Sequence, residues 1–403
     1  MITVLVCGGG NGAHVCAGLA ASHDDVTARV LTMFEDEAER WTAAMGQEGL
    51  HIAVRHSGSE PSTVIGKPAY VTKDPAEAMK PNVDLIVITV PSFAHEQYLK
   101  ALKPYVRAGM TIVGCPGRAG FDFAVRSIIG EISAELSIMN FESLPWACRI
   151  SEFGQSADVL GVKDTLAGAV QKSKSADGKL DPTAAFQKVL GDYPKLLTRG
   201  HLLGVTLSPT NGCIHPEILY GQWKDWDGKP VAKPPLFYNG LDEETAHLIS
   251  GVSDEVLATA KAIMEQRPNV DLSNVEHIFQ WYLRTYPDDI GDKSTLYTTI
   301  RTNKAYTGLI HPCTKTDDEQ YLPNFRYRYI TEDLPYGLTV LKGIAEIAGV
   351  PTPKMDHVIE WAQEKIGKSF IVNGKLTGSD LNITRCPQRY GFNTLDGILG
   401  MSK

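Results

Sequence analysis

Short apolar runs alternate with amphipathic stretches through the first half of the chain. Nearly continuous apolar runs at residues 1–6, 26–34, 83–90 and 110–114 predict strands buried on both faces of a parallel sheet. Residues 69–71, 137–141 and 158–162 predict further strands of the same sheet, and residues 35–45, 74–79 and 94–101 predict the helices between strands. Strands that alternate with helices are typical of an α/β Rossmann-type, doubly wound sheet with right-handed crossovers.

The pattern becomes helical from about residue 205. Apolar positions three or four residues apart predict helices over residues 254–266, 275–286, 338–348 and 356–366. A chain of 403 residues is too long for one core. We therefore expect two domains: an NAD-binding, Rossmann-like domain at residues 1–203 and a mostly α-helical domain at residues 204–403. The polar stretch at 171–181 predicts a surface loop.

Composition excludes several classes of function. A net charge of −8 leaves no basic excess to attract nucleic acid or a membrane surface. The sequence contains no apolar run near the roughly 20 residues that cross a bilayer, and residues 1–6 resemble a strand more than a signal peptide. Seven scattered cysteines without a CxxC pair favour reduced thiols in the cytoplasm over a disulfide framework or a metal site.

A glycine-rich turn follows the first predicted strand. Gly8-x-Gly10-x-x-Ala13, between a strand and a helix of small residues, matches the dinucleotide fingerprint in its alanine form. Gly8 permits the turn, Gly10 lets the backbone approach a pyrophosphate, and Ala13 lets the helix pack closely. We expect Asn11 and Gly12 to complete a cofactor site at the helix N-terminus, where free N–H groups attract phosphate.

The end of the second predicted strand bears on the choice of cofactor. Thr32, Phe34 and Glu35 occupy the region where NAD sites carry an acid for the ribose, and no Arg or Lys is present there for a 2′-phosphate. This favours NAD, although Glu35 is one place late and could instead open the next helix. Phe34 suits either the adenine or the core. Pro91 ends the long strand, at the sheet edge where the nicotinamide side is expected.

Among eleven histidines, His215 is the strongest candidate for acid–base chemistry. It lies in a turn-rich stretch at the start of the helical domain, beside Pro216, and could alternatively cap a helix. Asp333 precedes a predicted helix and could be an ordinary N-terminal acid. Paired with an imidazole, it would orient the ring as an acid–base dyad, but the sequence spacing cannot show that the two residues meet.

Several long motifs carry a more specific signal. They are CGGGNGAH at 7–14, DEAERW at 36–41, FESLPWACRI at 141–150, His-Pro at 215–216, WDGKP at 226–230, YITEDLP at 329–335, WAQEKIGK at 361–368 and TRCPQRYGFNTLDGIL at 384–399. With these motifs the chain resembles the opine dehydrogenase family nearly from end to end. The resemblance implies reductive condensation of pyruvate with an amino acid by NADH, which maintains NAD in anaerobic glycolysis, and it suggests a monomer.

The resemblance also assigns roles to individual residues. His215 matches the family's catalytic histidine and Asp333 its partner acid. Arg328 matches an arginine near the substrates, and Glu142 matches the acid that would receive a guanidinium in members that use arginine. Arg118 stands where those members carry glutamine, and Ser143 replaces a threonine.

The residue at position 118 leaves the amino acid open. Arg118 could hold a substrate carboxylate or sulfonate, or it could pair with Glu142; either would favour alanine, glycine or taurine. If Arg118 points into solvent, arginine remains favoured. Two other functions are also compatible with the residues: a two-domain NAD-dependent hydroxy-acid dehydrogenase and a non-catalytic NADH-binding sensor.

Overall fold

The computed structural model describes residues 1–55, 60, 62–173, 175, 181–208 and 210–401. The chain divides into two compact units, Met1–Val205 and Thr206–Lys403. The strands are β1 Ile2–Cys7, β2 Val26–Leu31, β3 Leu50–Val54, β4 Ser62–Gly66, β5 Val71–Thr72, β6 Leu85–Ile88, β7 Thr111–Gly114, β8 Ser137–Phe141, β9 Trp146–Glu152, β10 Ser156–Val162, β11 Thr165–Gln171, β12 Lys195–Thr198, β13 Cys313–Lys315 and β14 Tyr321–Pro323. The helices are α1 Asn11–Ala21, α2 Glu37–Met45, α3 Pro75–Ala78, α4 His95–Leu102, α5 Phe121–Ile129, α6 Pro182–Leu190, α7 Leu202–Thr206, α8 His215–Trp223, α9 Glu243–Gln266, α10 Ile278–Thr285, α11 Leu296–Arg301, α12 Arg328–Thr331, α13 Thr339–Ala348, α14 Pro353–Lys365 and α15 Leu395–Leu399.

The first unit is built on an eight-stranded sheet in the order β12-β11-β8-β7-β6-β1-β2-β5. Six adjacent strands of this sheet, β8-β7-β6-β1-β2-β5, are parallel. They follow the doubly wound order, in which the direction of the strand order reverses beside β1. Every residue of β6 is buried, as its unbroken apolar sequence predicts. The predicted Rossmann-type fold is confirmed.

A second, four-stranded sheet in the order β4-β3-β10-β9 was not predicted. Residues 158–162 were assigned to the main sheet, and that assignment is wrong because β10 pairs with β3 and β9. Strand β4 is largely exposed, and the inner positions of β3 alternate with half-exposed ones. Such half-exposed strands lack the continuous apolar signal that identified the main sheet.

The second unit is mostly helical, as predicted, with one two-stranded hairpin formed by β13 and β14. Its longest helix, α9, begins at Glu243, eleven residues before the predicted start at residue 254. Asp242 caps this helix by accepting a hydrogen bond from the Thr245 amide. An Asp cap with two glutamates in the first turn is a clear start signal that the apolar stripe alone does not report.

Other boundaries differ by a few residues. Strand β2 ends at Leu31 rather than residue 34, and α2 begins at Glu37 rather than residue 35. The segment between them, residues 32–36, is therefore a loop, and it contains the residues predicted to bind the cofactor ribose. Most of the predicted loop at 171–181 lies outside the described residues.

Within the described ranges, no helix combines the length and the apolar character that crossing a membrane requires. Those ranges also contain no group of three His, Cys, Asp or Glu side chains arranged to hold a metal ion. All seven cysteines are described, and none forms a disulfide.

Candidate active site

The glycine turn joins β1 to α1 in the first unit. Gly8 has φ of +130°, a conformation that strongly favours glycine. A Cβ on Gly10 would meet no atom within 4 Å, so the backbone there faces open space. No side chain caps α1, and its first amides remain available to an anion. These features fit the pyrophosphate of a dinucleotide.

His14 holds this turn in place, a role that the sequence did not reveal. Its Nδ1 lies 3.1 Å from the Gly10 carbonyl oxygen, and its Nε2 accepts a hydrogen bond from the Gly154 amide at 2.9 Å. The ring stacks on Trp41 with centroids 3.7 Å apart. Burial lowers the pKa of His14 to about 4, so the imidazole is neutral at physiological pH. Gly154 lies in the turn between β9 and β10, and His14 thus ties the cofactor turn to the second sheet.

Asn11 and Gly12 also have structural contacts. The Asn11 side-chain oxygen accepts a hydrogen bond from the Ile150 amide at 2.9 Å. Gly12 is buried, and a Cβ there would approach the Leu144 side chain to 3.1 Å. Both residues therefore fix the position of the helix start, and a cofactor role for them remains a prediction.

The loop after β2 contains Thr32, Phe34 and Glu35. Phe34 is 62 % exposed and Glu35 is exposed as well, so neither is a core residue. The buried Thr32 hydroxyl donates to the carboxylate of Glu37, an acid that the sequence analysis did not single out. The carboxylate approaches Gly9 so closely that a Cβ on Gly9 would collide with it. Glu37 therefore lies beside the glycine turn.

Pro91 lies at the carboxyl end of β6, as predicted, in an exposed position before a short 3₁₀ turn. The neighbouring Val90 carbonyl oxygen lies 2.8 Å from Nε2 of His95. This contact fixes the loop at the edge of the sheet where ligands bind in doubly wound folds.

Arg118, Glu142 and Ser143 follow the carboxyl ends of the adjacent strands β7 and β8. The Asn140 side chain donates to the Arg118 carbonyl oxygen at 3.0 Å, which links the two loops. Arg118 has φ of 67° and is half-buried. In the described part of the chain, its guanidinium forms no ion pair within 4 Å. The buried Ser143 hydroxyl has no hydrogen-bond partner among those residues. An unpaired cation and an unsatisfied hydroxyl on linked loops are typical of a binding site for a small polar ligand.

The second unit contains a buried histidine–aspartate pair. Nδ1 of His215 lies 2.7 Å from Oδ2 of Asp333, across 118 positions of sequence. A carboxylate only accepts hydrogen bonds, so Nδ1 carries the hydrogen and Nε2 of the neutral ring is the basic atom. Neither side chain caps a helix: the N-cap of α8 is Ile214, and Asp333 makes no cap hydrogen bond. The two residues meet as an oriented acid–base dyad.

Two glycines and an irregular turn bring the dyad together. A Cβ on Gly212 would lie 2.9 Å from the Cα of Gly337, so the segments preceding His215 and following Asp333 pack backbone to backbone. Residues Leu334–Leu338 form a π-helical turn. Here the Leu338 amide donates to the Asp333 carbonyl oxygen, five residues back, at 3.1 Å. Single π turns are frequent at functional sites.

Aromatic side chains enclose His215. The Tyr238 hydroxyl lies 2.7 Å from Nε2 of His215, and the Tyr329 ring stacks on the imidazole with centroids 4.0 Å apart. Phe237 meets the imidazole edge at 5.6 Å. Burial raises the pKa of Tyr238 and of Tyr329, which keeps both phenols neutral. The sequence analysis did not identify these aromatics, because they carry no local spacing signal.

Glu217 lies in the first turn of α8, two residues after His215, and its side chain is fully buried. Neither carboxylate oxygen has a hydrogen-bond partner among the described residues. Burial, with the nearby Asp333 charge, raises the pKa of Glu217 well above its usual value. Burial therefore favours the protonated, neutral form of Glu217.

Arg328 lies close in sequence to Asp333, but its guanidinium pairs with Glu332. The two side chains meet at 2.8 Å, with Arg328 56 % exposed. The Arg328 carbonyl oxygen accepts a long hydrogen bond of 3.4 Å from the Asp333 amide. Arg328 thus contacts the backbone of Asp333 and not its carboxylate, and its predicted contact with substrate stays a prediction.

The fold and these sites define an NAD-dependent oxidoreductase. Residues 198–366 match the family model described as NAD/NADP octopine/nopaline dehydrogenase, alpha-helical domain. A tauropine dehydrogenase of Arabella iricolor is 52 % identical over 399 residues, which cover 99 % of this chain and 100 % of the relative.

Solved structures agree. A structure of octopine dehydrogenase with NADH and L-arginine matches with a TM-score of 0.95 and 48 % identity, covering 100 % of this chain and 99 % of the other. A structure of octopine dehydrogenase with NADH and pyruvate matches with a TM-score of 0.93 and 47 % identity, with the same coverage. The chain belongs to the opine dehydrogenase family, whose members are NAD-dependent oxidoreductases acting on CH–NH donors. The predicted family and cofactor are confirmed.

Proposed function

We propose that this opine dehydrogenase condenses pyruvate with a small zwitterionic amine, such as taurine, alanine or glycine. The product is an N-(1-carboxyethyl) derivative of that amine, formed with loss of water. The main observation that supports this reaction is the buried His215–Asp333 dyad, in which the two side chains meet at 2.7 Å. The choice of a small amine rests on Arg118.

The glycine turn is the proposed site of the cofactor. Gly8 and Gly10 provide the turn and the open backbone, and the uncapped start of α1 provides N–H groups for the pyrophosphate. We extend the set to Asn11, Gly12, Ala13, Thr32, Phe34, Glu35 and Pro91, as the sequence suggests. NADH supplies the hydride that reduces the imine carbon.

His215 moves the proton that the condensation transfers from the substrate ammonium to the oxygen that leaves as water. As a neutral base, it takes a proton from the substrate ammonium, which frees the amine to attack the keto carbon. As an imidazolium, it returns a proton to the oxygen that departs as water. Asp333 holds the ring in one tautomer and stabilises its cationic form. A sensor that only binds NADH has no need for such a pair.

Arg118 and Ser143 form the proposed site for an acidic group. A guanidinium offers a planar fork of donors that suits a carboxylate or a sulfonate, and the donors of Arg118 are available because it forms no ion pair with a described residue. Ser143 adds a buried hydroxyl that has no hydrogen-bond partner among the described residues. Arginine is the second candidate, because Glu142 on the same loop offers a carboxylate to a guanidinium. Arg328, which pairs with Glu332, is a further candidate for binding a substrate carboxylate, as the family resemblance implies.

A single assay tests this proposal. NADH oxidation is followed at saturating pyruvate with taurine, alanine, glycine, β-alanine and arginine in turn. The molecular masses of the products are measured by mass spectrometry. We expect the highest kcat/KM for a small amine and an N-(1-carboxyethyl) product. Pyruvate-dependent oxidation without any amine would instead establish a hydroxy-acid dehydrogenase. NADH binding without turnover would establish a sensor.

We also propose a role for each of the two domains and a cellular role for the enzyme. Residues 1–203 bind the dinucleotide, and residues 204–403 supply the acid–base pair. The enzyme acts as a cytoplasmic monomer that regenerates NAD during anaerobic glycolysis. The seven unpaired cysteines support a reducing compartment.

A further inference from the structure

The contact between His215 and Tyr238 raises a question about proton access. Nδ1 of His215 is hydrogen-bonded to Asp333, and Nε2 is hydrogen-bonded to the Tyr238 hydroxyl at 2.7 Å. Both ring nitrogens therefore have a partner, and the imidazole is almost fully buried. A substrate proton can reach Nε2 only if Tyr238 moves aside or if Tyr238 carries the proton.

The packing around Tyr238 argues against movement. Its ring stacks on Tyr306 with centroids 3.9 Å apart and an angle of 15° between the planes. Phe237 meets the same ring edge-on at 4.8 Å. With 8 % of its surface exposed, Tyr238 would have to break the stack to leave Nε2.

The chemistry of a phenol suits both states of the histidine. Towards a neutral imidazole, the Tyr238 O–H donates to Nε2. Towards an imidazolium, Nε2–H donates to the phenol oxygen, and the phenol hydrogen is free to turn to another acceptor. Burial raises the pKa of Tyr238, so the group passes protons as a phenol and does not persist as a phenolate.

We propose that the Tyr238 hydroxyl relays the proton between His215 and the reacting substrate. In the forward direction the Nε2–H bond breaks as a new O–H bond forms on Tyr238. In the same step the original phenol hydrogen moves to the carbinolamine oxygen, which leaves as water. One proton crosses the site, Tyr238 ends as it began, and no redox change occurs in the relay. This proposal rests on the proposed function, since it requires His215 to handle the substrate proton.

The relay lies among other titratable groups. Those facing the His215–Tyr238 contact, or interacting with it electrostatically, are Asp333, Tyr329, Tyr282, Tyr286 and Tyr306, and Glu217 interacts in turn with Asp333. The pH profile of the wild type is therefore a property of the cluster, and the comparison with a single hydroxyl deletion isolates the contribution of Tyr238.

Tyr238→Phe tests the relay, because it removes one oxygen and keeps the ring stack. Tyr220→Phe is the matched control: Tyr220 lies on the same helix as His215, and its hydroxyl makes a 2.5 Å contact with Nε2 of His357 at the surface. For each protein, kcat and KM are measured over pH in H₂O and D₂O mixtures. NADH binding is followed by fluorescence, and Tm by calorimetry.

The relay predicts that Tyr238→Phe lowers kcat by about tenfold or more, shifts the kcat–pH profile and reduces the proton inventory from two transferred protons to one. The KM for NADH and the Tm should change little, and Tyr220→Phe should match the wild type throughout. A Tyr238→Phe enzyme with wild-type kcat, pH profile and inventory would overturn the relay. If the wild type turned over no amine, the proposed function would fail instead, so the two failures are distinguishable.

Discussion

Gly212→Ala tests whether close backbone packing sets the geometry of the dyad. The added Cβ would lie 2.9 Å from the Gly337 Cα, whereas an ordinary contact begins at 3.4 Å, so the two segments must separate by about 0.5 Å. Gly212 lies three residues before His215, and Gly337 four residues after Asp333. The separation therefore acts on the 2.7 Å contact between the two catalytic side chains.

The size of the effect follows from this displacement. Overpacking of this kind costs about 1–3 kcal/mol, which lowers Tm by about 2–12 °C for a domain of this size. A misplacement of about 1 Å can cost about 100-fold in rate, so half of it corresponds to about tenfold in kcat. Steady-state NADH oxidation and calorimetry measure both quantities.

A second glycine provides the control. Gly251 lies within α9, and a Cβ there would meet only the flexible Lys354 side chain, at 3.2 Å. Gly251→Ala should keep the wild-type kcat and should hold or raise Tm, because alanine favours a helix. Wild-type kcat and Tm in Gly212→Ala would refute the reasoning about the dyad.

Three further changes test other parts of the structure. Glu217→Gln should flatten the pH dependence of stability. In the wild type the native state holds a proton on Glu217 that the unfolded chain releases above about pH 4.5, so the free energy of unfolding falls as pH rises from there. Urea titrations that showed the same pH dependence of the free energy of unfolding in the variant would contradict this. His14→Ala should lower the free energy of unfolding by about 2–4 kcal/mol, because it leaves the Gly154 amide unpaired and a cavity beside Trp41. It should also reduce the loss of stability between about pH 6.5 and pH 4, where the unfolded histidine binds a proton before the native one; wild-type unfolding curves would argue against this anchor. Arg118→Gln should shift the preference in kcat/KM from small amines towards arginine, and an unchanged ranking of amines would reject Arg118 as the selective residue.

The main sheet was predictable because burial on both faces leaves a direct trace in sequence. Strands β6 and β7 are wholly buried, and their apolar runs identify them without ambiguity. The second sheet leaves no such trace, since β4 is mostly exposed and its neighbours are partly so. The Rossmann-type fold is therefore predictable from the sequence, and the second sheet is not.

The site shows the same division between local and distant information. The turn at Gly8 and Gly10 is a local motif and was readable directly. The meeting of His215 with Asp333 depends on 118 intervening residues and on the contact of two distant glycines, which no spacing rule encodes. The residue chemistry suggested the pair and the family resemblance supported it, but the sequence spacing could not show that the two side chains meet. Tyr238 and Glu217 had no signal of either kind, because their importance comes from what packs around them.

The most direct test of the account is the turnover of His215→Ala with pyruvate and the preferred amine, beside NADH binding measured on the same sample. We predict a fall in kcat of about 10²–10⁴-fold, with the N-(1-carboxyethyl) product reduced in proportion and the affinity for NADH nearly unchanged. Wild-type turnover by this variant would contradict the assignment of the dyad as the acid–base centre.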